Sequence, residues 1–162
     1  MRHSLASAWF TAVLLATPVV SIDATAQAHN RHCSDASVIG RWGFTTEGTI
    51  LGVGDVAAVG IVAFDSQGIV SGKQTRSLSG QVADETFSGT YTMNADCTGT
   101  ETIDVFQTGV KVRTAALSFV ILNNGGEARA LFRSLVLPNG VSLLNVITIE
   151  AKRLFPKSKA ED

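Results

Sequence analysis

Apolar residues recur at every second position over much of this chain, and clusters of Gly, Asn and Asp interrupt the recurrence at regular intervals. A period of two places successive side chains on opposite faces of an extended strand. The interruptions fall at Gly48 to Gly54, Asp65 to Gly68, Gly80 to Asp84, Asn94 to Cys97, Thr108-Gly109, Asn123 to Gly126 and Pro138 to Gly140. Each supplies residues that tolerate a chain reversal or a positive φ. The pattern predicts eight strands, over residues 40–48, 56–65, 69–79, 85–94, 98–107, 110–122, 127–137 and 141–154. No segment carries a sustained helical period with caps, so the expected fold class is all-β.

Strands joined by short turns form an antiparallel up-and-down meander, and closing it into an eight-stranded β-barrel removes the exposed edges. A sandwich of the same strands is the alternative. The two cysteines bear on the choice. Cys33 precedes the first strand and Cys97 lies in the turn between the fourth and fifth. In a meander both positions fall at the same end, as a disulfide requires. On the chain-entropy model such a bridge stabilises the fold by about 4 kcal/mol. Two buried free thiols are the other reading.

The first residues have the pattern of a secretory signal. Arg2 and His3 precede an apolar run from Leu5 to Ala16, and Pro18 ends it. The run is shorter than the ~20 residues a helix needs to span a bilayer. Small residues follow at a spacing that signal peptidase accepts, Ala24-Thr25-Ala26 or Ala26-Gln27-Ala28. The expected organisation is a signal peptide over 1–28, a single β-barrel domain over 29–155 and a charged, disordered tail over 156–162. The expected location is secreted or periplasmic, after cleavage near Ala26 or Ala28. An outer-membrane barrel would carry aromatic girdles at both interfaces. After the signal this chain has one Tyr, Tyr91, and one Trp, Trp42, so the barrel is not expected to span a membrane.

Composition narrows the function classes. The net charge is −1 and no basic patch occurs, which disfavours nucleic acid as a partner. The only histidines after the signal are His29 and His32, at the start of the mature chain, where a solvated tail is the simple reading. A Ser-His-Asp hydrolase therefore has no base to use. Glu101 and Asp104 fall on opposite faces of one strand and cannot form a glycosidase pair. Asp55, Asp65 and Asp96 read as turn residues, and no metal or cofactor is expected.

Alternation also assigns an interior. Trp42 and Phe44 share one face of the first strand. Phe87, Tyr91 and Met93 share a face of the fourth, and Ala130, Phe132 and Val136 a face of the seventh. Leu143, Ile147 and Ile149 share a face of the eighth, with Asn145 among them. The same reasoning sends Gln74, Arg76 and Glu101 inward. A buried charge needs a partner, so Arg76 and Glu101 are expected to pair across the lumen. Trp42, Gln74, Arg76, Tyr91, Glu101 and Asn145 are the candidate ligand-binding residues, polar anchors in an apolar pocket. The second and sixth strands are apolar on both faces, which suggests cover by a second copy and hence a homo-oligomer.

Gly40-Arg41-Trp42 at the start of the first strand resembles the Gly-x-Trp that opens the first strand of lipocalins and their calycin relatives, including avidins. That resemblance implies a Trp packed at the closed end of the barrel beneath a basic residue from the last strand, a part that Arg153 would play. It covers these residues and the strand count. The Trp residues that box biotin in avidins are absent. A looser resemblance, carried by Gly-rich and Thr-rich hairpins without a motif, is to the allene oxide cyclase and dirigent type of barrel. The favoured expectation is a non-enzymatic barrel that binds a small apolar or amphipathic ligand in its lumen. The alternatives are a structural or interaction protein of the envelope and an isomerase or cyclase that works by positioning its substrate.

Overall fold

The computed structural model describes residues 32–155, so the expected signal peptide over 1–28 and the expected tail over 156–162 lie outside the described residues. Eight strands follow in order: β1 (Gly40–Ile50), β2 (Gly54–Phe64), β3 (Ile69–Leu78), β4 (Gln81–Met93), β5 (Thr98–Gln107), β6 (Val110–Leu122), β7 (Glu127–Val136) and β8 (Asn145–Arg153). Each pairs antiparallel with its sequence neighbour, and β1 pairs with β8 from Trp42↔Arg153 to Ile50↔Asn145. The result is a closed, all-β, up-and-down barrel of eight antiparallel strands.

Two boundaries differ from the sequence expectation by four residues, the others by two at most. β4 begins at Gln81, because Ser79 and Gly80 alone make the reversal, both with positive φ. β8 begins at Asn145, because the chain after Pro138 first closes a turn. Leu137 N–H donates to the Val141 carbonyl, and Ser142 makes only an isolated bridge with Val136.

Two register shifts break the strict alternation of the wall. One adds Val112 to β6 opposite Val105 and Phe106, and the other adds Arg133 to β7 opposite Ala116 and Leu117. A bulge moves every residue beyond it to the other face. The inward residue at the top of β7 is therefore Leu135, 2% exposed, and not the expected Val136.

Three aromatic rings line the inner wall over glycines. Phe44 lies opposite Gly60, Phe87 opposite Gly72 and Phe119 opposite Gly99, each as a direct cross-strand pair. In each case a Cβ on the glycine would collide with the tip of its facing ring. The missing side chain lets the ring lie flat against the wall and leaves open space at the barrel centre.

The end of the barrel that holds the disulfide is plugged. The segment before β1 makes a single 3₁₀ turn, Asp35–Ser37, and inserts Val38, which is fully buried. Cys33 and Cys97 are bonded, with their Cα atoms 4.9 Å apart, and tie this segment to the β4–β5 turn. Trp42 Nε1–H donates to the Val38 carbonyl at 2.8 Å. Arg153 stacks over the Trp42 ring, 4.4 Å from its centre, and donates to the carbonyls of Ser37, Ile39 and Gly125. The basic residue of the last strand thus occupies the place that the Gly-x-Trp resemblance implied.

Candidate functional site

Above this floor the interior is not packed solid. A lower cavity of about 70 Å³ is walled mainly by the aromatic rings of Trp42, Phe44, Phe64, Phe87 and Phe119. An upper cavity of about 210 Å³, toward the other end, is walled by aliphatic side chains such as Ile50, Leu78, Leu135 and Ile147. Gln74, Arg113 and Phe132 border both. The larger space compares with the roughly 150 Å³ apolar cavity that accommodates a benzene-sized molecule.

A buried ionic cluster lies between the two spaces. The Glu85 side chain is fully enclosed and accepts four hydrogen bonds. Gln74 Nε2 donates at 2.7 Å, Arg76 Nε at 2.9 Å, and Arg113 donates twice, from Nη1 at 2.8 Å and Nη2 at 2.5 Å. The two arginines come from strands on either side of β4 and β5, so the cluster crosses the lumen rather than running along one strand. Burial alone would push the Glu85 carboxyl up. The hydrogen bonds and charge of Arg113, with Gln74 and Arg76, outweigh it and hold the group down to about 2.

Arg76 therefore pairs with Glu85, and the expected Arg76–Glu101 pair does not form. Gln74 and Glu85 are direct cross-strand partners on β3 and β4, which puts Arg76 one step away from the same carboxylate. Glu101 lies lower, on β5, and borders the aromatic cavity. No hydrogen bond or ion pair reaches it among the described residues. Burial without a partner pushes its carboxyl up to about 7.

The remaining sequence candidates fall at the margins. Tyr91 is buried against Phe64 and donates its hydroxyl to the Asp65 carbonyl at 2.6 Å, which fixes it to the floor. Burial, with the Asp35 and Asp65 carboxylates nearby, raises that hydroxyl above its ordinary value. Asn145 donates to the Leu143 carbonyl, and its own Oδ1 is buried without a partner. Asp104 faces outward, where Lys111 and Thr114 hold its carboxyl below the usual range.

Sequence reasoning missed Glu85 and Arg113. Glu85 shares parity with the assigned inward residues Phe87 and Tyr91, whereas Arg113 lies on the sixth strand, whose two apolar faces give no inward parity. Each sits near the start of its strand, where a charge is more often solvated than buried.

The hairpin tips opposite the disulfide also carry apolar side chains. Leu51, Val53, Val82, Val110, Val141 and Leu144 are all exposed there. On β2, Val59 is likewise uncovered in the single chain.

No family model matches this sequence, and neither does any curated protein. Among solved structures, an S-type phycobiliprotein lyase, CPES from Guillardia theta, is similar at a TM-score of 0.48 and 9% identity, over 79% of this chain and 97% of that one. Identity at that level transfers no residue role.

Proposed function

We propose that this chain is an exported ligand-binding barrel that holds a small amphipathic molecule in its lumen. The observation that carries the reading is Glu101, a part-buried carboxyl at the edge of an aromatic cavity with no partner among the described residues. Its apolar surroundings disfavour the charged form, and a ligand donating a hydrogen bond to it would offset that. The aromatic walls supply apolar contact, and the plugged floor closes one end. Trp42, Gln74 and Arg76 are the further contacts in this reading, with Tyr91 supporting the floor and Asn145 flanking the upper cavity. The stacking of Arg153 on Trp42 supports kinship with lipocalin-type carriers. The disulfide accords with an extracytoplasmic location.

The test is native mass spectrometry of the mature protein isolated from its own host. A co-purifying small molecule, released on denaturation, is the expected result. A protein of bare chain mass that also takes up no small aromatic solute would contradict it. A second reading, assembly through the apolar hairpin tips, draws on the exposed Leu51, Val82 and Leu144. The same spectrum distinguishes it, since that reading predicts a multimer without small-molecule mass.

A further inference from the structure

The ionic cluster does not balance. Two arginines share one carboxylate, and Glu85 has about four acceptor positions, all of them taken. Arg113 uses two of its donors there. Arg76 uses only Nε, of the five N–H groups that a guanidinium carries. Its Nη1 is buried with no partner, and no other described residue accepts from the guanidinium. The Arg76 side chain is only 14% exposed and borders the upper cavity. The surplus is thus one positive charge with free donors, beside an aliphatic space of about 210 Å³.

A second donor faces the same space. Thr46 on β1 points inward, is 5% exposed and borders the upper cavity. Its hydroxyl has no partner among the described residues. Thr46 pairs with Ala58 on β2, and Ala58 pairs with Arg76 on β3. The three form one row across the wall. The small Ala58 in the middle leaves room between a hydroxyl and a guanidinium, strands being ~4.8 Å apart.

From this we infer that the upper cavity is a subsite for the carboxylate of a small apolar monoacid, with the acid head on Arg76 and Thr46 and the apolar body among Ile50, Leu135 and Ile147. The inference rests on the reading of the lumen as a ligand site and assigns the ligand's charge. An anion neutralises the surplus arginine and accepts from its free edge. A cation is repelled, and a neutral isostere leaves the charge unanswered.

The test is titration calorimetry on the mature, disulfide-bonded protein, with benzoate, benzyl alcohol and benzylamine as probes. The wild-type protein is expected to bind benzoate about tenfold or more tighter than benzyl alcohol, and benzylamine least. In Arg76→Gln, Arg113 keeps its two bonds to Glu85, and the preference for benzoate over benzyl alcohol is expected to vanish. Binding of benzyl alcohol by that variant reports that it is folded. Equal wild-type affinity for benzoate and benzyl alcohol would overturn the anion assignment while leaving the lumen reading intact. Binding of none of the three would overturn both. The wild-type ranking decides the matter even if the variant does not fold.

Discussion

Glu85 and Glu101 are the same side chain on adjacent strands of one barrel, and their surroundings drive them in opposite directions. Glu85 meets four donors and is held at about 2, whereas Glu101 meets none and rises to about 7. Both start from 4.5 in the unfolded chain. The consequences for stability follow by linkage. Glu85, with its folded value depressed, contributes stability above pH 4.5 that is lost as pH falls toward 2. Glu101, with its folded value raised, costs nothing below pH 4.5 and destabilises progressively as pH rises from 4.5 through 7. Denaturant unfolding across pH should therefore show a maximum near 4 to 5. Glu101→Gln should abolish the decline on the alkaline side, a gain of up to about 3 kcal/mol above pH 7. An unchanged decline in that variant would mean that Glu101 has a partner or open solvent.

At the scale of elements, the pairing of rings with glycines shapes the interior. Gly72 receives the Phe87 ring from the neighbouring strand, and a methyl group there would meet both the ring and the Ile61 carbonyl. Gly72→Ala should cost about 1–3 kcal/mol, as overpacking does, and push the ring into the lower cavity. Thermal unfolding would register the loss, and weaker uptake of an aromatic solute the narrowing. The strands themselves were legible because Gly, Asn and Asp at the turns coincide with breaks in alternation. The bulges at Val112 and Arg133 were not, because an inserted residue shows only in the register against the partner strand, which one strand's own sequence does not carry. That blindness misassigned Val136 and concealed Leu135. The same limit hid the partner of Arg76. Parity puts Gln74, Arg76 and Glu101 inside, but only register says which carboxylate lies opposite, and register placed Glu85 beside Gln74.

For the whole molecule, the disulfide joins what the barrel ladder does not reach. It spans a sequence separation of 64 and holds the plug that carries Val38 and accepts from Trp42 and Arg153. Replacing both Cys33 and Cys97 by Ser should lower stability by about 4 kcal/mol on the chain-entropy model. The floor should also loosen, visible as greater solvent access to Trp42 fluorescence. Unchanged Trp42 emission would mean that Arg153 and Val38 hold the plug unaided. The end opposite the plug presents apolar hairpin tips, so an apolar solute has two places to bind: the lumen or the rim.

The most direct discrimination is a nuclear Overhauser measurement on the mature protein with methyl-labelled Ile, Leu and Val and unlabelled benzyl alcohol. The account predicts contacts from the aromatic protons to inward methyls, those of Ile103, Ile147 and Ile149. Contacts confined to Leu51, Val82 and Leu144, or none at all, would contradict it.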